Sequence, residues 1–233
     1  MKTIQCVENS CDHAYSAGLS QDDILDCIGS MRPTPGVEKL ITTLAAEGWD
    51  IVLVTDANTV FVQHWLKVHG LLDCITEIIT NRAFWQGSRL FIEPCMRQTS
   101  CPRCPSNLCK SRALVDWCAK HAYGKIVYCG DGRNDFCPAM SLPANVSIAF
   151  GIELKSVKLL SQECQRPKCQ PRVISLYHLS ANTFFFWIWS LICPHCWNSR
   201  LFFVRVLPHQ SIDRRCHRSI SVVAFADRRI PVD

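Results

Sequence analysis

Apolar residues in the middle of the chain, residues 35–150, follow helix-like and strand-like spacings in turn. The first segment has apolar residues at the steps of one helix face, namely Val37, Leu40, Ile41 and Leu44. Pro35-Gly36 stands before this segment and Gly48 after it, which are residues that commonly begin and end helices. The short apolar run Ile51–Val54 then predicts a buried strand.

The same alternation continues along the chain to residue 150. It predicts a helix at Phe61–Val68, a strand at Cys74–Ile79, an irregular stretch at Asn81–Asn107, a helix from Lys110 to about Ala122, and strands at Ile126–Cys129 and Val146–Phe150. Strands that alternate with helices indicate a parallel sheet with right-handed crossovers. We therefore expect an α/β fold, with a Rossmann-like parallel sheet that has helices on both faces.

The pattern is lost after about Gly151, where neither the helix nor the strand period persists. The most apolar run, Phe184–Cys193, is shorter than the roughly 20 residues that a membrane-spanning helix needs. Cys193-Pro194-His195-Cys196 has zinc-like spacing, but a second pair of ligands does not follow at the usual distance, and a chance match is the simpler interpretation. We predict a poorly structured tail at residues 161–233 and no membrane span.

Composition narrows the function classes only a little. The net charge of +5 is mild, and the basic residues are scattered without interleaved aromatics, so nucleic-acid binding is not expected. The polar, acidic start of the chain does not have the pattern of a signal or transit peptide. The 16 cysteines are therefore expected as reduced thiols, and the location as cytoplasmic. The sequence does not specify an oligomeric state.

Polar side chains follow the predicted strands at positions where an α/β sheet builds its site. They are Thr55, Asp56 and Asn58 after the strand Ile51–Val54, Lys110 at a helix start, and Asp131 and Asp135 after the strand Ile126–Cys129. A hydroxyl, an ammonium group and metal-binding carboxylates at one place are what phosphoryl transfer requires. Taken singly, each residue could equally be a cap, a solvated lysine or a turn former.

Three segments in this order, VLVTDANT, CPRCPSNLCK and VYCGDGRNDFCP, resemble the haloacid dehalogenase superfamily of phosphatases. They are most similar to the branch that contains phosphoethanolamine/phosphocholine and pyridoxal-phosphate phosphatases, and the resemblance covers residues 34–150. It implies Mg²⁺ as cofactor and a small phosphorylated metabolite as substrate. It also implies that Thr55 and Lys110 are catalytic, that Asp56 and Asn58 face the substrate, and that Asp131 and Asp135 bind the metal.

In this family the nucleophile is the first Asp of an N-terminal DxDxT, which forms an aspartyl-phosphate. This sequence contains no DxDxT. The resemblance thus divides the chain into the remnant of a helical cap (1–33), a phosphatase core without its first strand (34–160) and a divergent tail (161–233). Two functions remain open: a magnesium-dependent phosphomonoesterase acting on pyridoxal phosphate, phosphocholine or phosphoethanolamine, and a non-catalytic truncated remnant that binds phosphate or a partner.

The middle segment is also rich in cysteine. Cys101, Cys104 and Cys109, with Cys95 as a candidate fourth member, have spacings that could hold zinc. The alternative is that they are reduced thiols that pack as small apolar groups.

Overall fold

The structure is a computed structural model that describes residues 2–33, 36–121, 123, 125–130, 135, 137–138, 147–151, 172–175 and 223–227. Its helices are α1 (Lys2–Ser16), α2 (Gln21–Gly29), α3 (Val37–Ala46), α4 (Thr59–Val68) and α5 (Lys110–Cys118), with a short 3₁₀ helix at Leu72–Cys74. Its strands are β1 (Trp49–Asn58), β2 (Glu77–Gln86), β3 (Arg89–Glu93), β4 (Lys125–Gly130), β5 (Ser147–Gly151), β6 (Arg172–Ser175) and β7 (Val223–Asp227).

The strands form a mixed sheet in the order β3-β2-β1-β7-β4-β5-β6. β1 and β2 are parallel, and so are β4, β5 and β6. The predicted α/β fold is therefore confirmed. The sheet is only partly parallel, because β3 and β7 run antiparallel to their neighbours.

The centre of the sheet is completed by β7, which comes from the tail. It lies between β1 and β4, so that Phe225 is opposite Ile51 on one side and Val127 on the other. Without a strand here, backbone groups of β1 and β4 would lose partners at about 1–3 kcal/mol each. The tail at residues 161–233 was predicted to be poorly structured, and its described residues are those of β6 and β7. For the rest of the tail the expectation stays a prediction. All other tail residues, including Cys193 and His195, lie outside the described residues.

Strand β1 is buried on both of its faces. Ile51 and Leu53 pack with α3 and α4, while Val52 and Val54 pack with α5 and β4. Successive side chains of a strand point to opposite faces, so the uninterrupted apolar run is what a strand covered on both sides requires. Helices on both faces of the sheet are thus observed around β1.

The predicted irregular stretch after Asn81 contains a hairpin. Strand β2 continues to Gln86, turns through Gly87, whose φ is 59°, and returns as β3. A glycine and a serine between two apolar-rich runs are a hairpin signal, so this feature was readable from the sequence. The hairpin carries β3 out to the edge of the sheet, where another element must cover it.

Helix α1 covers that edge strand. Ile4 and Cys11 of α1 are in one buried apolar cluster with Leu90 and Ile92 of β3. The carboxylate of Glu8 accepts a hydrogen bond from the backbone N–H of Ile92 at 2.9 Å. The assignment of residues 1–33 to a helical cap stays a prediction. Neither α1 nor any other helix in the described ranges combines the length and apolar character needed to cross a membrane.

Candidate active site

The end of β1 supplies three of the predicted site residues. Thr55, Asp56 and Asn58 are among the last residues of the strand itself, because β1 extends to Asn58 instead of ending at Val54. Thr55 is buried, and its hydroxyl accepts the backbone N–H of Ala57 at 3.3 Å. A hydroxyl group that accepts one hydrogen bond still has its own proton to donate.

Asn58 has a defined structural task. Its side-chain oxygen accepts the backbone N–H of Phe61 at 3.0 Å, and it is therefore the N-cap of α4. An Asn cap satisfies one of the N–H groups that a helix start leaves without a partner. Asn58 is also buried, which leaves Asp56 as the half-buried polar side chain of this segment.

Two buried asparagines that the sequence reasoning did not select hold this segment in place. The amide nitrogen of Asn81 donates to the carbonyl oxygens of Asp56 and Ala57, both at 2.8 Å. Asn107 donates to the side-chain oxygen of Asn81 at 3.1 Å and to Asp56 Oδ1 at 3.4 Å. Asn81 lies in the middle of β2, where it is opposite Asn58 at the last position that pairs β2 with β1. The site therefore includes the middle of β2.

Lys110 begins α5, as predicted, but it is not a solvated surface residue. Its side chain is 2% exposed, and its Nζ lies 2.7 Å from Oδ1 of Asp135, whose side chain is 5% exposed. A buried ammonium group is costly unless a carboxylate pairs with it. The structure therefore brings together two of the predicted residues, one from the start of α5 and one from the segment after β4.

Asp135 Oδ1 has a second donor, the hydroxyl of Tyr128, at 2.8 Å. Tyr128 lies on β4 and is fully buried. Burial, and then the negative charge of Asp135, raise the pKa of the Tyr128 phenol well above its usual value. The phenol is consequently a proton donor to the carboxylate over the whole neutral range. Asp131, the other predicted metal ligand, lies outside the described residues.

Gly130 is the residue that lets Asp135 come close to β4. A Cβ atom at this position would lie 2.5 Å from both Cβ and Cγ of Asp135, and 2.8 Å from its Oδ2. Such distances are well inside van der Waals contact, so any side chain here would push the carboxylate away. The first glycine of the GDG motif, Gly130, is therefore required for steric reasons in this structure.

Four cysteines form a compact cluster beside the Lys110–Asp135 pair. The sulfur atoms of Cys101, Cys104, Cys109 and Cys137 all lie within 4.8 Å of one another. Hydrogen bonds from Cys104 above all, and from Cys101, lower the pKa of Cys137 to about 5, although burial acts against this. Cys95 is outside the cluster, and Cys137 takes the position for which the sequence suggested Cys95.

Among the described residues of the tail, Asp227 is the carboxylate that could have replaced the nucleophile, and its position does not suit that role. Asp227, at the end of β7, is opposite Trp49 of β1 and Lys125 of β4. These are the first residues of their strands, so the backbone of Asp227 lies at the edge of the sheet away from Thr55. Among the described residues, Thr55, Lys110 and Asp135 offer a hydroxyl, an ammonium group and a carboxylate, and all three are buried.

A family model described as "Putative Phosphatase" matches residues 8–172 of the chain. The chain belongs to this phosphatase family. It is 32% identical to a human phosphoethanolamine/phosphocholine phosphatase over 156 residues, which are 64% of this chain and 58% of that protein. It is 33% identical to a pyridoxal phosphate phosphatase of Bos taurus over 136 residues, 55% of this chain and 56% of that protein.

A third relative in this phosphatase family is a thiamine phosphate phosphatase-like protein of Arabidopsis thaliana, 35% identical over 136 residues, 54% of this chain and 56% of that protein. The chain thus spans about half the length of the curated relatives that it matches. No solved structure matches it significantly. The resemblance to the phosphoethanolamine/phosphocholine and pyridoxal-phosphate phosphatase branch is confirmed.

Proposed function

We propose that this chain carries the phosphate-binding and metal-binding part of a magnesium-dependent phosphomonoesterase. The observation that carries the proposal is the buried pair of Lys110 and Asp135, 2.7 Å apart, at the carboxyl end of β4 in a member of a phosphatase family. The proposed substrates are small phosphomonoesters such as pyridoxal phosphate, phosphocholine or phosphoethanolamine, since relatives bear these names.

Thr55 and Lys110 are proposed to hold the phosphate. The Thr55 hydroxyl donates a hydrogen bond to one phosphate oxygen, and the Lys110 ammonium neutralises a second. An ammonium group has three protons, so it can bind Asp135 and a phosphate oxygen together. Both residues are buried, and electrostatic attraction to a phosphate is stronger where water is excluded. Asp56 is proposed to face the substrate, because it is the half-buried carboxylate at this edge.

Magnesium fits the donors that this edge provides. Oxygen ligands are the ones that Mg²⁺ prefers, and it commonly takes one or two carboxylates from the protein. Asp135 lies against Gly130 in a place that a Cβ would fill, with Oδ1 held by Lys110 and Tyr128. Asp131 and Asp135 would hold the ion, which would neutralise the charge of the phosphate. The chain's own residues fix the carboxylate and exclude water around it.

The covalent step of the proposed reaction needs a DxDxT segment, which this sequence does not contain. We expect this chain by itself to bind phosphate without hydrolysing its esters. The second candidate function is a non-catalytic remnant that binds phosphate or a partner, and the absence of DxDxT from this sequence favours it. A cytoplasmic location belongs to the proposal, supported by the reduced cysteines of the described residues, which are not in disulfide bonds.

Phosphate binding tests the proposal. Inorganic phosphate is titrated in the presence of Mg²⁺ and followed by calorimetry for the unchanged chain and two matched variants. Thr55→Val removes the proposed donor and keeps the shape, so we expect affinity to fall about tenfold, the value of one good hydrogen bond. Thr42→Val, whose exposed hydroxyl bonds within α3, should bind as the unchanged chain does. Equal affinity in all three proteins would contradict the assigned role of Thr55.

A further inference from the structure

The cysteine cluster lies outside the proposed reaction. Cys101, Cys104 and Cys109 come from the loop before α5 and from its N-cap, while Cys137 comes from the segment after β4. Their sulfur atoms lie within 4.8 Å of one another, and those of Cys101 and Cys137 are 3.5 Å apart. None of the four is in a disulfide bond with another described cysteine. Four thiols from two separate stretches of the chain therefore face one point.

The separations of these sulfur atoms suit one tetrahedral metal ion. A zinc ion binds thiolates at about 2.3 Å, so the edges of its sulfur tetrahedron are about 3.8 Å long. The 3.5 Å between the sulfur atoms of Cys101 and Cys137 is close to this value. All the other sulfur–sulfur distances are within 4.8 Å, so small movements of the side chains would bring them to the length that zinc requires. A disulfide needs about 2.05 Å, which is a far larger change for any pair.

A buried glutamine fixes the loop that presents the first two cysteines. Oε1 of Gln98 accepts the backbone N–H of Cys101 at 2.8 Å. Its Nε2 donates to the carbonyl oxygens of Pro105 at 2.8 Å and of Cys104 at 3.2 Å. Contacts of this kind, one layer out from the sulfur atoms, orient the ligands in metal sites. The loop is thus shaped to turn its thiols inward.

We propose that Cys101, Cys104, Cys109 and Cys137 bind one structural Zn²⁺ ion. All four ligands come from the protein, which is the arrangement of a closed structural site and not of a catalytic one. The site also has a mechanical consequence. Cys109 directly precedes Lys110, and Cys137 is two residues after Asp135, so the metal fastens together the two segments that carry the buried ion pair.

Metal analysis of the unchanged chain, purified in reducing buffer, is the direct test. We expect about one zinc per chain, and X-ray absorption at the zinc edge should show four sulfur neighbours at about 2.3 Å. The double variant Cys104→Ser/Cys137→Ser should lose the zinc. Cys95→Ser is the matched control, because Cys95 is a cysteine of the same region outside the cluster, and this variant should keep its zinc.

The unchanged chain decides the question even if the double variant does not fold. Titration of its thiols with a mercurial in the presence of a zinc indicator should release one zinc as the four protected thiols react. Purified chain without stoichiometric zinc, iron in its place, or a disulfide between cluster cysteines by mass would overturn the proposal. Equal loss of zinc in Cys95→Ser would overturn the choice of ligands.

Discussion

Replacing Lys110 with methionine should be among the most destabilising single changes in this chain. Methionine keeps most of the volume of the side chain but leaves Asp135 buried without its cation. Breaking a buried pair in this way costs about 3–5 kcal/mol. We expect the lower end, about 3 kcal/mol, because Tyr128 still donates to the same carboxylate oxygen.

The matched control is Arg112→Met on the same helix. Arg112 lies 3.8 Å from Asp116, with both side chains more than 60% exposed, and such a pair contributes only about 0.3–0.5 kcal/mol. At a urea slope of about 2 kcal/mol per molar, the midpoint should fall by about 1.5 M for Lys110→Met and by about 0.2 M for the control.

Urea unfolding followed by circular dichroism measures both changes. A double variant, Lys110→Met/Asp135→Asn, adds a check, because removing both charges leaves neither of them buried alone. It should be less destabilised than the two single changes added together. If Lys110→Met and Arg112→Met shift the midpoint equally, Lys110 is not in a buried ion pair and the reasoning about the site is refuted.

Two further substitutions test the surroundings of the pair. Gly130→Ala should lower stability in a thermal melt more than the control Ala119→Gly does, because the alanine Cβ would lie 2.5 Å from Asp135. A melt of the Gly130→Ala chain with little change would contradict this packing. Asn81→Ala removes a buried amide that donates to two carbonyl oxygens, so we expect a loss of about 2–4 kcal/mol in urea unfolding, while a loss below about 1 kcal/mol would show that the network is unimportant.

The parts of the site that the sequence predicts are those with local signals. The apolar run Ile51–Val54 predicted β1, and Lys110 was correctly placed at the start of the helix that follows the irregular stretch Asn81–Asn107. What the sequence did not show is that Lys110 is buried. Burial depends on Tyr128, which lies on β4, and on Asp135, which follows β4. Both come near Lys110 only when the sheet has formed.

The parts that sequence reasoning missed depend on contacts between distant segments. The position of β7 is set by the edges of β1 and β4, which would be unpaired without it. The spacing of apolar residues in the tail does not indicate that pairing. Cys137 was not chosen as a cluster member, because chain spacing favoured Cys95. Only the packing of the segment after β4 against the loop before α5 brings Cys137 to Cys101.

The most direct test of the central claim is magnesium-dependent hydrolysis of p-nitrophenyl phosphate and pyridoxal phosphate. It compares the 233-residue chain with the same chain extended at its N-terminus by a strand that carries DxDxT. We expect no turnover above background by the unextended chain, and turnover by the extended one that Asp131→Asn largely abolishes. Robust turnover by the unextended chain, lost on Asp56→Asn, would contradict the assigned roles and make Asp56 the nucleophile.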